Sequence, residues 1–343
     1  MKPGKIILFI FLALLVAAAY ISWNFFGPTI QAPIGNFLYV HTGASYSQVK
    51  DSLKKENIIG SDLWLDKVAS YSHYDKNIRP GKYKITNGMS VVSLVKMLRT
   101  GKQVPVNLII TKLRTREDLA NKIEDNFETD SLSVINFLNS NDSLLPFGVD
   151  TNTILTIVIP NTYTYKWNTS IPNVLKKLYN EEKKFWNENR KKKAEYLHLT
   201  PKEIYTLASI VEEETNREGD KGKIASVYIN RIRKGMKLAA DPTIKFAMKD
   251  FGLKRIYFKY LNYPSPFNTY THSGLPPGPI NTPSINTIDA VLDAPETNYL
   301  FFVGRPNSGG LSDFSVSFRE HTNFAKTYHK ALDSLAESKK ENQ

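Results

Sequence analysis

The hydrophobic pattern of the chain opens with an uninterrupted apolar run. Residues 6–26 have the sequence IILFIFLALLVAAAYISWNFF, without a charged side chain. In a helix they span roughly 31 Å, which matches a bilayer core of about 30 Å. Lys2 and Lys5 precede the run, so we expect residues 1–5 to be a cytoplasmic tail and the rest to lie outside. A cleaved signal peptide is the alternative, but its apolar core is usually only about 7–15 residues long.

The next segment predicts a small α+β domain. Residues 27–36 (GPTIQAPIGN) are rich in Gly and Pro and are expected to form a linker. Residues 37–102 then alternate between short strand and helix patterns. The expected elements are the strand FLYV, helices over 45–56 and 61–70, the turn and strand IRPGKYKI, and a helix from Ser90 to just before Gly101.

Residues 103–336 predict a larger, mixed α/β domain. It begins with the strand VPVNLII and the helical segment LRTREDLANKIEDNF, and it continues through an irregular stretch over 140–170. One long charged helical stretch is expected over 171–197, more helices up to Asp250, and a Pro-, Gly- and Tyr-rich region up to Pro283. A terminal α/β segment and a flexible tail, 337–343, complete an α+β fold.

Composition narrows the possible partners and chemistry. The net charge is +12, which suits an anionic envelope, membrane surface or wall polymer. Nucleic acid is not expected as a partner because of the apolar N-terminal run. The absence of Cys excludes disulfides and thiolate metal sites. HExxH, GxSxG, Walker and GxGxxG motifs are missing as well, so we expect no metal, no cofactor and no serine-hydrolase chemistry.

The segment from Thr200 to Asn216 predicts a well-capped helix. Thr200 is the expected N-cap, followed by Pro201 and by Glu203 at the spacing of a capping box. Projection at 100° per residue gathers the apolar side chains on one stripe. The members of this stripe are Ile204, Leu207, Ile210 and Val211.

Three consecutive carboxylates end this helix and differ in their predicted environment. Glu214 falls within the apolar stripe, Glu213 points nearly opposite to solvent, and Glu212 lies on the other flank. Desolvation should raise the pKa of Glu214, which a general acid at neutral pH requires. A run of glutamates can also merely solubilise a helix, and this is the interpretation we favour for Glu212 and Glu213.

A second helix is expected over Lys221–Lys234 and should end at Gly235. It carries a cation, Arg231, that could bind substrate or stabilise the fold. Arg231 projects into the middle of its apolar face and therefore needs an anionic partner or a ligand. Asp241 or a neighbouring Glu could supply a structural salt bridge instead. Asn230 lies at the edge of the face, where its amide could hold a sugar hydroxyl.

The following segment combines a helix start with an aromatic and proline-rich loop. Asp241 before Pro242 and Thr243 has the pattern of an N-cap. Tyrosines and phenylalanines between 257 and 270, followed by SGLPPGP, could stack on sugar rings or could simply pack a rigid loop.

These motifs resemble the YceG/MltG family, the membrane-anchored endolytic murein transglycosylases. The resemblance covers nearly the whole chain. It is carried by IRPGKYKI, LASIVEEET, ASVYINRIRKGMKLAADPTI, FNTYTHSGLPPGPINTPS and FSVSFREH. It implies a LysM-like domain over 37–102, a catalytic YceG-like domain over 103–336, and Glu214 as the catalytic acid. Asn161, Lys112 and Leu113 depart from the family pattern and put some secondary substrate contacts in doubt.

The resemblance also implies a reaction and a place in the cell. The substrate would be the nascent glycan strands of peptidoglycan, cut between MurNAc and GlcNAc to leave 1,6-anhydro-MurNAc ends. The enzyme would sit in the bacterial inner membrane with its catalytic domain outside, beside peptidoglycan synthases as partners. A hydrolytic muramidase and a non-catalytic wall-binding protein stay open as alternatives. Residues expected to support substrate or acid are Asn230, Arg231, Asp241, Thr243, Tyr270, Thr271, Gly274, Pro276 and Pro277.

Overall fold

The computed structural model describes residues 3–253, 255–306 and 308–341. They form two compact units. The first contains the chain up to Leu108 together with the short pieces 124–129 and 164–170. The second contains 109–123, 130–163 and the chain from Ile171 onward. The sequence alone assigned both short pieces to the larger domain.

Helix α1 (Pro3–Phe26) contains the apolar run and has no buried residue. Within the described residues it is the one helix long and apolar enough to cross a membrane, with a mean hydropathy of 2.6. It includes three described residues of the predicted tail. Its length and composition are compatible with a membrane anchor or a signal sequence.

The first unit is built around a small antiparallel sheet. Strands β1 (Phe37–Val40) and β2 (Gly81–Lys84) pair with Phe37 opposite Lys84 and Val40 opposite Gly81. Ser45 accepts a hydrogen bond from the N–H of Gln48 in a capping box, which explains where the first helix after β1 begins. The helices of this unit are α2 (Tyr46–Lys55), α3 (Asp62–Tyr71) and α4 (Val91–Thr100).

Residues 27–36, the expected linker, are packed into the first unit. Ile30 is 1% exposed, its N–H donates to the carbonyl of Met89 at 3.0 Å, and its own carbonyl accepts from Gly88 at 3.0 Å. The N–H of Gly27 also bonds to the carbonyl of Trp23, the last turn of α1. The end of α1 is therefore joined to the unit by an ordered segment, which Gly and Pro content alone did not reveal.

The middle of the chain contains more regular structure than its polarity predicts. Strand β4 (Asn161–Tyr165) lies inside the stretch expected to be irregular, and it belongs to a two-stranded sheet with β3 (Val106–Ile110). The single helical stretch expected over 171–197 is two helices, because Asn187 caps a new helix by accepting from the N–H of Arg190. The helices here are α5 (Arg116–Glu124), α6 (Ser131–Leu138), α7 (Asn141–Leu144), α8 (Ile171–Phe185) and α9 (Glu188–Tyr196).

The core of the second unit consists of helices packed around one buried helix. Tyr205, Leu207 and Ile210 of that helix, α10 (Pro201–Glu214), are fully buried, and side chains of the next helix and of α13 (Ile285–Leu292) surround them. Strands β5 and β6 form an antiparallel pair with Phe301 opposite Ser315. The elements are α10 (Pro201–Glu214), α11 (Glu218–Arg233), α12 (Asp241–Ala247), α13 (Ile285–Leu292), β5 (Phe301–Gly304), β6 (Ser312–Ser315) and α14 (Phe318–Glu341).

Two predicted boundaries differ from the structure. Helix α11 begins at Glu218, three residues before the expected start at Lys221, because the chain reverses over only Thr215–Arg217. Helix α14 continues to Glu341 through most of the predicted flexible tail, whose last two residues lie outside the described ones.

Candidate active site

Helix α10 positions the candidate acid at its C-terminal end. The side chain of Thr200 accepts from the N–H of Glu203, and the carboxylate of Glu203 accepts from the N–H of Thr200, so the helix begins as a capping box. Every residue from Ile204 to Val211 is buried. Glu214 is the last residue of this helix, so a largely buried scaffold holds its backbone.

The environment of Glu214 suits a carboxyl group that carries a proton at neutral pH. The side chain is half-buried, and burial raises its pKa to about 7. The hydroxyl of Tyr228 donates to its Oε1 at 2.6 Å, and this hydrogen bond opposes the rise. The charge of Asp241 raises the pKa further, whereas Arg231 and Lys245 lower it. Because neither cation forms an ion pair with Glu214 among the described residues, desolvation dominates.

Glu213 does not point to solvent, so that prediction was wrong. Its Oε1 lies 2.7 Å from Nζ of Lys112 and 3.6 Å from a guanidinium nitrogen of Arg114, and it accepts from Asn281 at 3.2 Å. The segment after β3 is held in place by paired hydrogen bonds between Leu113 and Thr282, 2.8 and 2.9 Å long. Lys112, one of the departures from the family pattern, therefore has a defined structural partner.

Glu212 also has partners and does not merely solubilise the helix. Its Oε2 accepts from the hydroxyls of Ser284 and Thr287, at the start of α13, and lies 3.7 Å from Nζ of Lys221. Ser284 caps α13 by accepting from the N–H of Thr287. The carboxylate thus fixes the N-terminus of α13 against α10.

Arg231 is a structural cross-link between backbone segments. Its Nε donates to the carbonyl of Leu300 at 2.7 Å, its Nη1 donates to that of Leu238 at 2.5 Å, and the guanidinium lies 5.3 Å from the ring centre of Phe301. The alternative interpretation, a salt bridge with Asp241 or a Glu, is not among the ion pairs of the described residues. Burial lowers the pKa of Arg231, and its charge still acts on Glu214.

Asn230 is likewise tied to the backbone, through the nitrogen of its side-chain amide. Its Nδ2 donates to the carbonyls of Thr297 at 2.8 Å and Tyr299 at 3.0 Å. These two bonds use both amide hydrogens. Together with Arg231 it holds the strand leading into β5 against α11.

Asp241 and Tyr270 form a second polar contact in the site. The hydroxyl of Tyr270 donates to Oδ1 of Asp241 at 2.6 Å, and burial together with this contact raises the pKa of Tyr270. Asp241 is the first helical residue of α12, whose N-cap is Ala240, so the expected N-cap position is wrong by one residue. Because the carboxylate of Asp241 does not cap the helix, it can accept the hydrogen bond from Tyr270.

Thr243 fixes the loop that carries Tyr270. It is fully buried, its hydroxyl donates to the carbonyl of Ala240 at 2.6 Å, and it lies 2.9 Å from the hydroxyl of Thr269. Asn268, which sequence reasoning missed, is also fully buried and accepts from the N–H of Tyr270 at 2.9 Å. Thr271 bonds back to the carbonyl of Asn268 at 3.0 Å.

The proline-rich loop has one open and one closely packed glycine. Gly274 adopts the left-handed region at φ +80° with no atom near a Cβ position, whereas a Cβ at Gly278 would collide with the backbone of Asn152. Pro276 is buried and Pro277 is exposed. Pro276 is therefore closed to a ligand, whereas Gly274 and Pro277 keep surface for one, and Gly278 is a packing constraint that the sequence analysis did not single out.

Tyr228 of α11 is a site residue that the sequence analysis did not single out. It is 1% exposed, and its ring packs edge-on against Phe302 with centroids 5.9 Å apart. Buried tyrosine hydroxyls usually find a partner. Applied to the tyrosine of the helix that follows Glu214, this rule could have predicted the hydrogen bond between Tyr228 and Glu214 from the sequence.

A cavity of about 200 Å³ in the same unit has a basic wall. Arg114, Arg116 and Lys249 line it together with Glu117, Phe246 and Phe267, and Nζ of Lys249 lies 3.6 Å from Oε1 of Glu117. Arg114 is also the residue whose guanidinium lies near Glu213.

No group of three or more potential metal ligands occurs within the described part of the chain.

Comparison with known proteins gives consistent matches along most of the chain. The sequence profile of the YceG-like family matches residues 38–327. An endolytic murein transglycosylase of Bacillus subtilis (strain 168) is 27% identical over 309 residues, covering 84% of this chain and 83% of the relative. One from Streptococcus pneumoniae strain D39 is 24% identical over 368 residues, covering 94% of this chain and 66% of the relative. The 2.6 Å crystal structure of a YceG-like protein from Listeria monocytogenes matches with a TM-score of 0.55 at 24% identity, covering 84% of this chain and 97% of that one, and supports the fold.

Proposed function

This chain belongs to the YceG-like family, and from that premise we propose that it is an endolytic murein transglycosylase with Glu214 as its acid. The observation that carries the assignment is the state of this one carboxyl group. Glu214 is half-buried, its pKa is raised to about 7, and a buried phenol orients it. A general acid works best when its pKa lies near the operating pH.

A single carboxyl group is enough for the proposed reaction. Protonated Glu214 gives its proton to the oxygen that links MurNAc C1 to GlcNAc, and the C1–O bond breaks. The Glu214 carboxylate then takes the proton of the MurNAc 6-hydroxyl while O6 bonds to C1. The products are a 1,6-anhydro-MurNAc end and a free GlcNAc 4-hydroxyl, and Glu214 is protonated again without consumption of water.

The surrounding residues support the acid rather than touch the reacting atoms. Tyr228 orients the carboxyl group, and Arg231 and Asn230 hold the strand that packs against α11. Tyr270 and Asp241 lie where a sugar hydroxyl could exchange with their mutual hydrogen bond. Exposed groups of the loop around Gly274 and Pro277 would form part of the glycan-binding wall.

Asp241 is the residue that keeps a hydrolytic reaction as the second candidate function, because it is a second carboxylate near Glu214. A conventional glycosidase needs a second carboxylate, about 5–9.5 Å from the first, to activate water or to form a covalent intermediate. Asp241 is a carboxylate whose charge acts on Glu214. Its engagement by Tyr270 favours a positioning role, but only the product distinguishes the two reactions.

The test uses purified, uncrosslinked glycan strands digested in oxygen-18-labelled water. We expect products that end in anhydro-MurNAc and contain no label, as seen by mass spectrometry. Reducing MurNAc ends that contain the label would show that water attacks the glycan, and the chain would then be a muramidase instead. Undegraded strands with the folded wild-type chain would favour a wall-binding protein.

Two neighbouring substitutions test the acid itself. Glu214→Gln should lower the rate by at least about 10²-fold, since general acid catalysis contributes typically 10²–10⁴-fold. Glu213→Gln is the matched control because it changes the adjacent residue of the same helix and loses only partly exposed ion pairs. Equal losses in both variants would remove the assignment of Glu214.

We extend the proposal to location. Helix α1 would be a single-pass anchor in the bacterial cell membrane, with the N-terminus cytoplasmic and the second unit outside. Tethering would place the site beside nascent strands and near their synthases, so that cleavage limits strand length. The arrangement of β1, α2, α3 and β2 supports a LysM-like first domain. Intact mass of the membrane-extracted chain tests the anchor, since signal-peptide cleavage would remove it.

A further inference from the structure

The first unit has a cavity at the outer end of α1 that the murein-cleaving site does not use. It has a volume of about 620 Å³ and lies among α1, α3 and α4. Its apolar wall includes Phe25 and Phe26, the last two residues of α1, and Val92 and Val95 of α4. If α1 spans the membrane, as proposed above, this cavity lies at the depth of the outer lipid headgroups.

Aromatic side chains support that depth. Trp64 of α3 packs edge-on against Phe25 at 5.0 Å and against Tyr20, one turn deeper in α1, at 6.1 Å. Trp23 is 61% exposed on the same turn. Tryptophan and tyrosine concentrate at membrane–water interfaces, so α3 lies where the bilayer surface would be.

The cavity is lined by cations without matching acids. Lys67, Lys96 and Arg99 line it and are exposed, and among the described residues no acid lines it. None of the three has an ion pair or hydrogen bond through its side chain in the described part of the chain. The acids of α3 are engaged elsewhere, Asp62 by Lys54 and Asp66 by Lys50.

The exposed stripe of α3 completes an amphipathic surface. Leu63 and Tyr71, which are 56% and 91% exposed, lie one turn to either side of Lys67. On α4, Val92, Lys96 and Arg99 share a face at the spacing of helical turns. Apolar side chains and cations around one cavity form a surface that an anionic lipid complements.

We infer that this cavity binds one anionic phospholipid of the outer leaflet. An acyl chain would pack against Phe25, Phe26 and Tyr71, and the headgroup phosphate would accept hydrogen bonds from the three cations. The ordered segment after α1 keeps the cavity attached to the helix end, because Gly27 bonds to Trp23 and Ile30 is buried. The bound lipid would fix the orientation of the first unit on the membrane. This inference rests on the proposed anchor and on no catalytic residue.

The test titrates phosphatidylglycerol or phosphatidylcholine into delipidated full-length protein in neutral detergent and counts bound lipid by native mass spectrometry. We expect one phosphatidylglycerol molecule to bind tightly and phosphatidylcholine to bind with at least tenfold lower affinity. Replacing Lys67, Lys96 and Arg99 together by Gln should weaken phosphatidylglycerol binding roughly 100-fold, about fivefold per cation. These side chains are exposed, so folding should be preserved.

The matched control replaces Lys55, Lys76 and Lys84 by Gln, which removes the same charge from exposed positions of the same unit outside the cavity. It should change binding less than twofold. Equal effects of the two triple variants, or equal affinity for the two lipids, would overturn the site. Stronger binding of undecaprenyl diphosphate than of phosphatidylglycerol would overturn the phospholipid in favour of a lipid-linked glycan end. The intact mass reports the anchor and glycan cleavage reports the enzyme, so each proposal fails separately.

Discussion

Tyr228→Phe isolates the effect of one hydrogen bond on the proposed acid. The substitution removes the hydroxyl that donates to Glu214 at 2.6 Å but keeps the buried ring. Because this bond stabilises the ionised carboxylate, its loss should raise the pKa of Glu214 above its present value of about 7. A hydrogen bond to a charged group is worth about 1.5–3 kcal/mol, and 1.36 kcal/mol corresponds to one pKa unit, so the rise should be about one to two pH units.

The assay is the pH dependence of kcat/KM for glycan-strand cleavage. Its alkaline limb reports the acid that must be protonated in the free enzyme. We expect this limb near pH 7 in the wild type and about one to two pH units higher in Tyr228→Phe. The maximal rate should fall in the variant, because the carboxyl group loses its orientation and the carboxylate that forms when Glu214 gives up its proton loses a stabilising hydrogen bond.

Tyr205→Phe is the matched control. This residue is also a fully buried tyrosine of the same core, but its hydroxyl donates to the carbonyl of Val158 at 2.6 Å and not to Glu214. It should cost comparable stability and leave the alkaline limb unchanged. A Tyr228→Phe limb that stays in place, or moves toward acid, would refute the reasoning that this hydroxyl holds down the pKa of Glu214.

Three further predictions follow from the same contacts. Asp241→Asn should move the alkaline limb the opposite way, downward by less than about one pH unit, because it removes a negative charge that disfavours ionised Glu214. Glu214→Gln should stabilise the fold at pH 8 by up to about 3 kcal/mol but not at pH 4, as measured by urea unfolding, since a folded pKa of about 7 above an ordinary 4.5 penalises the fold only as pH rises through that window. Arg231→Lys should lower the free energy of unfolding by about 1.5–3 kcal/mol, because one ammonium cannot replace the fork to the carbonyls of Leu238 and Leu300, and an unchanged melting temperature would contradict this.

Local patterns predicted the parts of the fold that depend on local physics. The capping box of Thr200 and Glu203 starts α10 where the sequence places it, and Ser45 and Ser90 cap α2 and α4. The position of Glu214 at the end of the helix with an apolar stripe also follows from periodicity. These features depend on residues three or four positions apart, so the sequence contains the information directly.

Features that depend on distant segments were not predictable in this way. The partner of Glu213, Lys112, lies 101 positions earlier in the sequence, and Arg231 bonds to a carbonyl 69 residues away. A projection of one helix shows in which direction a side chain points, but it does not show which residue of a distant segment that side chain contacts. The ordered segment over 27–36 is a similar case, because its hydrogen bonds go to residues around 58 and 88.

The three consecutive glutamates show how these distant contacts select the acid. Glu212 is held by two hydroxyls of α13 and lies near Lys221, and Glu213 is paired with Lys112. Both neighbours are therefore engaged in contacts that hold α13 and the segment after β3 against α10. Glu214 has one neutral donor, no ion pair among the described residues, and a pKa raised to about 7 by burial. Helix periodicity points Glu214 inward, and the partners of its two neighbours leave Glu214 as the one glutamate of the three without an ion pair among the described residues, which supports its proposed role as the acid.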